Sequence, residues 1–421
     1  MTIHTVRQGD TVWKIANMYQ VPISTIMQVN GLMSGALVPG LHLYIPDNRL
    51  PERFYQVKAG DTLSQLAETF ASTVPLILAA NPGIAPNELP VGGHLVIPTN
   101  QRYTMQTLVF MDAYAGTPYT EKLRELAGSI TYLAVFTYSF TRAGDLIEAE
   151  DEEILAACRE NNIRPLMVMS NYEENNFSAE LAAAILHAEP RTVLINNIAE
   201  TIEEKGYAGV SIDFEFVPPE RRQDFTAFLK ELKQKLGSRI LQINAHAKTD
   251  DFPENRLTGF LDYAAIGEIA DITAVMTIDY GYAAGPPDPI APIWWVEEVL
   301  NYATSQISSR KLMMAMSLYG YDWTLPVQAE TNAEMISVLD AQNRAIASGV
   351  PIQYDERAQS PHYRYRRGQA EHAVFFEDIQ SVRAKYQLLQ EYNLLGTTYW
   401  RLRFSFPQNW AYVERNIQVE K

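Results

Sequence analysis

Three side chains in the stretch GYAGVSIDFEFVPPE, residues 206–220, have the type and spacing to do chemistry: Ser211, Asp213 and Glu215. They alternate with Val210, Ile212 and Phe214, the pattern of a short buried strand. Strand side chains point to opposite faces with period two, so the three polar groups share one face, successive ones about 6.6 Å apart. Two carboxylates this close repel when both are charged. One is then harder to ionise and is available as a proton donor near neutral pH. A donor acid beside a carboxylate is the equipment for acid–base cleavage of a glycosidic bond. An Asp-x-Glu at a strand end also arises in ion pairs and helix caps, so the surrounding chain has to decide between these readings.

The elements that must position this pair belong to a chain of 421 residues, enough for two or three domains and a large core. Hydrophobic residues make up 47% and charged residues 20%, which is ordinary globular material. The net charge of −16, with no long basic run, argues against a nucleic-acid partner and against docking on anionic membranes. No run of about 18 apolar residues occurs, so no membrane span is expected. The first residues, MTIHTVRQGD, do not read as a secretory signal. The one cysteine, Cys158, excludes an intrachain disulfide and reads as a small core residue on a helix. There is no CxxC and no HExxH, so no metal site is expected. Neither a Walker loop nor a GxGxxG is present, and no cofactor is expected.

Residues 3–47 and 53–98 repeat each other. Val6-Arg7-Gln8-Gly9-Asp10-Thr11-Val12 matches Val57-Lys58-Ala59-Gly60-Asp61-Thr62-Leu63. Ile15-Ala16 then matches Leu66-Ala67, Asn30 matches Asn81, and Ile45-Pro46 matches Ile97-Pro98. Each unit reads as strand, two short helices and strand, with the Asp of Gly-Asp placed to cap the first helix. The spaced Gly-Asp-Thr, the Asn and the closing Ile-Pro resemble the lysin motif (LysM). That resemblance implies binding of N-acetylglucosamine-containing glycans, peptidoglycan or chitin. It points to Gly9, Asp10, Thr11 and Asn30 in the first module and to Gly60, Asp61, Thr62 and Asn81 in the second. Some of these residues have an equally good structural reading as caps or turn closers. Two weak sites in tandem would add by avidity.

From about residue 103 onward, eight apolar runs alternate with helical patterns: 107–112, 130–138, 164–171, 208–215, 240–247, 271–279, 311–323 and 396–400. Phe225, Phe228, Leu229, Leu232 and Leu236 mark one face of a helix that starts after Pro218-Pro219-Glu220. The expected fold is α/β: a (β/α)8 TIM barrel over 103–421, with a small α+β insertion at about 325–378 between strands seven and eight, preceded by the two βααβ modules. In such a barrel the site lies at the C-terminal ends of the strands. The residues there are Asp112 and Tyr114, Asn171 and Tyr172, Glu215, His246, Asp279 and Tyr280 with Tyr282 just beyond, Tyr319 and Tyr321, and Trp400. An aromatic and polar rim suits a sugar.

The large domain resembles glycoside hydrolase family 18. Gly209, Asp213 and Glu215 match the glycine, last Asp and Glu of that family's strand-four motif. MTID is similar to its MxYD, and Trp400 matches its sugar-stacking tryptophan. Within the family, SIDFEFVPP, GPPDPIAPIWWV, IQYDERAQSP and YWRLRFSFPQNW resemble the cortex-lytic N-acetylglucosaminidases of spore-forming bacteria, which also carry two lysin motifs. Ala208 and Ser211 stand where the family has Asp, which implies weaker support for Asp213. Ile278 stands where it has Tyr, which removes a hydroxyl from the N-acetyl pocket.

The resemblance implies a peptidoglycan glycosidase that keeps the anomeric configuration. Glu215 would be its general acid and base, with Asp213 beside it. Asp213 lies on the same strand as Glu215 and is badly placed to attack from the far side of the sugar, so the substrate's own N-acetyl carbonyl is the expected nucleophile. Asp112, Asn171, Asp279, Tyr280, Tyr282, Tyr319 and Trp400 are the expected substrate contacts. The expected location is the spore coat or cortex or the cell wall, with synthesis in the mother-cell cytoplasm. The competing readings are a catalytically impaired glycan-binding protein and a chitinase.

Overall fold

The computed structural model describes residues 2–85, 89–113, 120–174, 176–328 and 332–421. Tyr114 lies outside them. Eight parallel strands close a barrel: β1 (Tyr103–Asp112), β2 (Tyr132–Phe140), β3 (Arg164–Ser170), β4 (Gly209–Asp213), β5 (Ile240–His246), β6 (Ile272–Met276), β7 (Leu312–Ser317) and β8 (Gly396–Trp400). Each pairs with the next in sequence, and β8 returns to β1. Helices cover the outside and side chains fill the inside, so strands read as continuous apolar runs. All of β4 and β7 is buried. The helix Arg222–Leu236 buries Phe225, Phe228, Leu229, Leu232 and Leu236, the stripe expected from its spacing, after a single 3-10 turn at Pro219–Arg221.

Two runs end earlier than their hydrophobic pattern. The fourth stops at Asp213, so Glu215 stands two residues past the strand. The seventh is two strands rather than one. Leu318 donates its N–H to the Trp400 carbonyl, after which Tyr319–Leu325 leaves the barrel. It joins an antiparallel five-stranded sheet with Glu334–Ser337, Gln353–Asp355, Ser360–Arg367 and Ala370–Phe375. The excursion therefore begins at Tyr319. Apolar residues continue across the break because both sheets bury them: Tyr319, Tyr321 and Trp323 are all core residues.

The first N-terminal module consists of Thr2–Thr5, helices Val12–Tyr19 and Ile23–Val29, and His42–Ile45. The second consists of Glu52–Gln56, helices Leu63–Thr69 and Val74–Ala80, and His94–Pro98. Thr11 and Thr62 cap the first helices, accepting from the Lys14 and Gln65 N–H groups. Asp10 and Asp61 do not. They turn back to accept from the Arg7 and Lys58 N–H groups, at 2.8 and 2.7 Å, and so tighten the Gly9 and Gly60 turns.

Both modules sit on the barrel. Arg383 grips Glu52 with two parallel bonds of 2.8 and 2.9 Å. His42 meets Asp378 at 2.5 Å in a buried contact. At Gly40 a Cβ would stand 1.8 Å from the Ile352 carbonyl oxygen, so only glycine lets the two backbones approach there.

Candidate active site

β4 is built so that its neighbour can come close. A Cβ at Gly209 would lie 2.1 Å from the Ile240 carbonyl oxygen of β5. With glycine there, Ser211 pairs with Gln242 in register. Period-two alternation then sets Asp213 beside Asn244 and Glu215 beside His246. The side chains follow that order. Gln242 Nε2 donates to Asn244 Oδ1 at 2.9 Å, and Asn244 Nδ2 reaches Ser211 Oγ at 3.2 Å. Asn244 also stands next to Asp213 across the strand pair, near enough to pull its carboxyl down. His246 Nε2 stands 3.3 Å from Glu215 Oε2.

The column becomes wetter toward the barrel mouth. Ser211 and Gln242 are fully buried, and Asp213 is 6% exposed. The Glu215 side chain is 18% exposed and reachable. Burial, then the charge of Glu215, push the Asp213 carboxyl well above the usual carboxylate range, against the opposing pull of Asn244.

Glu215 is aimed by its backbone. Asn171, wholly buried at the end of β3, takes the Glu215 N–H on its Oδ1 at 2.9 Å and gives its Nδ2 to the Glu215 carbonyl at 2.8 Å and to Ser178 at 2.9 Å. The next residue, Phe216, has φ +56, an unfavourable left-handed conformation that turns the chain away at once. Asn171 was expected to touch substrate. Its amide is already committed, so it is a positioning residue for Glu215.

Asp279 also adopts a left-handed conformation, with φ +58, just past β6. The residue is exposed overall, and its Oδ1 accepts the Tyr319 hydroxyl at 2.5 Å and that of Tyr321 at 3.1 Å. Burial raises this carboxyl, against the two phenol hydrogen bonds. Tyr319 is fully buried, which corrects the expectation that it meets substrate directly. Tyr280 and Tyr282 are 38% and 52% exposed. Tyr280 packs edge-on against Trp294, with ring centroids 5.3 Å apart. Neither supplies a bond to Asp279; the phenols that do so come from the strand after β7.

Trp400 ends β8 partly open, its ring braced by Phe110 at 5.2 Å and Phe136 at 5.1 Å. Asp112, another expected substrate contact, is 3% exposed and paired with Arg401, with Arg403 at 3.9 Å. Its charge is spent within the protein. The arginine partners and the amides Gln242 and Asn244 went unread in the sequence. The alternation Gln242, Asn244, His246 in ILQINAHA was the available signal. Among the described residues, no group of three or more His, Cys, Asp or Glu side chains could hold a metal ion.

In the N-terminal modules, Gly9 and Thr11, and Gly60 and Thr62, are exposed, with Asp10 and Asp61 half-buried between them. The asparagines differ from expectation. Asn30 is fully buried and clamps the closing strand, donating to the Ile26 and Tyr44 carbonyls and accepting the Tyr44 N–H. Its Oδ1 also accepts from Gln408 and its carbonyl from Gln342, both in the barrel domain. Asn81 makes the same clamp on Ile77 and Val96. Asn30 is a structural residue, because a glycan could reach its amide only by breaking the module; Asn81 makes the same bonds but is half-buried.

Residues 106–404 match the family described as Glycosyl hydrolases family 18, and residues 4–46 and 55–98 match the LysM domain. The chain is 35% identical to the cortical fragment-lytic enzyme of Bacillus anthracis over 429 aligned positions, covering 100% of this chain and 99% of that one. Two crystal structures superpose on the whole chain and on 98% of their own. They are the spore cortex-lytic enzymes SleL of Bacillus cereus, with TM-score 0.88 and 33% identity, and of Bacillus megaterium QM B1551, with TM-score 0.85 and 34% identity.

Proposed function

The chain belongs to glycosyl hydrolases family 18 and carries two LysM domains, and from that premise we propose that it cleaves spore-cortex peptidoglycan on the reducing side of N-acetylglucosamine. It is a glycoside hydrolase; the substrate and residue roles are our reading. The full-length similarity to cortical fragment-lytic and cortex-lytic enzymes supports the substrate. It also supports an association with the spore cortex or cell wall. The LysM domains add affinity for glycans that contain N-acetylglucosamine.

One observation carries the mechanism: Asp213 ends β4 and Glu215 follows it by two residues, close enough that its charge acts on the Asp213 carboxyl. An ordinary retaining glycosidase places its nucleophile about 5 Å from the acid and across the sugar. Two groups in one column cannot flank a sugar ring. The acetamido group of the substrate takes the nucleophile's place. Glu215 protonates the leaving oxygen as the C–O bond breaks. The N-acetyl carbonyl oxygen bonds to the anomeric carbon and forms an oxazolinium ion. Asp213 holds the amide N–H and balances the positive charge. Water, deprotonated by Glu215, then opens the ring with retention. Trp400 serves as a floor for the sugar, and Tyr280 and Tyr282 as an open aromatic rim. Asp279, with its two phenols, faces the acetamido pocket.

The test is digestion of purified cortex fragments followed by borohydride reduction and mass analysis of the new ends. The expected ends are reduced N-acetylglucosamine. Glu215→Gln, which keeps size but carries no transferable proton, should release them at least about 100-fold more slowly. Ends carrying reduced muramic acid would overturn the assignment. Chitin cleaved in preference to cortex fragments would replace the substrate.

A further inference from the structure

The family motif has a carboxylate where this chain has Ser211, and the neighbouring strand fills the gap. We propose that Asn244, held by Gln242, is the positioning residue that orients Asp213 toward the substrate's acetamido group, replacing the carboxylate missing at position 211. The proposal rests on the substrate-assisted reading above.

The orientation of the amide is fixed by its partners. Gln242 Nε2 donates to Asn244 Oδ1 at 2.9 Å, and the donor end of the Asn244 amide lies 3.2 Å from Ser211 Oγ, on the face that Ser211 shares with Asp213. Buried amides are costly unless hydrogen-bonded, and Gln242 bears part of that cost, its Oε1 having no partner among the described residues. Gln242 is fully buried and Asn244 is 5% exposed, inside a barrel whose other inward positions are largely apolar. Two stacked amides there need a reason, and the top of the stack is Asp213. An amide also differs from a carboxylate in kind. It donates without first acquiring a proton, and it adds no third negative charge under Asp213 and Glu215. Asp213 is thereby steered without a second titrating group below it. The ionisable group that acts on Asp213 is Glu215, two residues past β4; His246 of β5 and Asp279 beyond β6 act on Glu215 in turn, and the phenols of Tyr319 and Tyr321, from the strand after β7, bond Asp279. From β3, the partner in register is the uncharged Ser170.

The experiment uses the full chain and one N-acetylated glycan, with kcat, KM and the pH profile measured for three variants. Asn244→Leu keeps bulk and removes the donor. We expect kcat to fall at least about 10-fold with KM changed less than about 3-fold. The acid limb of kcat/KM should move up by about one pH unit, because an Asp213 anion without its donor is harder to form. Asn244→Ala with Ser211→Asp moves the supporting group from β5 to β4 at similar total volume, and should recover much of the lost kcat. Gln242→Leu frees the Asn244 amide to rotate and should give a smaller loss in the same direction; it carries the test if Asn244→Leu does not fold. An unshifted acid limb and kcat within 2-fold of wild type in a folded variant would overturn the proposal. So would an equal loss in the double variant with no shift in the acid limb, which is what a packing role predicts. Wild-type enzyme that hydrolyses the de-N-acetylated glycan equally well would instead remove the reading on which the proposal rests.

Discussion

Glu215 does its work from a position that Asn171 holds. The Asn171 side chain makes three bonds, two of them to the Glu215 backbone, in place of the ladder that ends at Asp213. Asn171→Ala leaves the Glu215 N–H and C=O without these partners, and buried groups left so cost about 1–3 kcal/mol each. We expect a loss of about 2–4 kcal/mol in urea unfolding, with a fall in kcat exceeding any change in KM. Unchanged stability would show that Asn171 is not the clamp. The two acids were legible in the sequence because period-two alternation and charge repulsion are local properties. The fate of Asn171, Asp112 and Asn30 was not. Each polar residue stands where a substrate contact is plausible, and only tertiary partners (Glu215, Arg401 and Gln408) reveal that its capacity is taken.

At the scale of elements, the site depends on the closeness of β4 and β5. Gly209 permits it, since a Cβ there would sit 2.1 Å from the Ile240 oxygen. Gly209→Ala must part the strands and spoil both the Asp213–Asn244 and Glu215–His246 pairings. A stability loss of about 1–3 kcal/mol is expected from the urea midpoint, together with lost activity; a fully active, equally stable variant would refute the register argument. The barrel strands and the Arg222–Leu236 helix were readable because burial imposes a period on the chain. The break at Leu318 was not, because Tyr319–Leu325 is buried in the second sheet as thoroughly as β7 is in the first. Nor were the caps. Asp and Thr compete for the same role in Gly-Asp-Thr, and Thr11 and Thr62 take it while the Asp side chains turn back to their own turns.

Across the whole molecule, the LysM domains are seated on the barrel by buried polar contacts as well as by packing. His42 is 6% exposed against Asp378. Burial opposes its charge, but the charge and hydrogen bond of Asp378 prevail and raise its pKa. A histidine raised on folding stabilises fully below its unfolded pKa of about 6.5, and that contribution is lost as pH rises through the higher folded value. The Tm advantage of wild type over His42→Gln should therefore be largest at mildly acid pH and shrink as pH rises above neutral. A difference that grows with pH would reverse the sign and the assignment. This seating was beyond the sequence, because Asn30, His42 and Glu52 meet partners more than 300 positions away.

The central claim is that the substrate's acetamido oxygen, and no protein carboxylate, attacks the anomeric carbon. The most direct measurement is single-turnover hydrolysis of one glycan in two forms, with the acetamido group on the reacting sugar intact or replaced by a free amine. The account predicts cleavage of the first with retained configuration and loss of at least about 1000-fold on the second. Comparable rates on both, with a sugar ester trapped on Asp213, would contradict it.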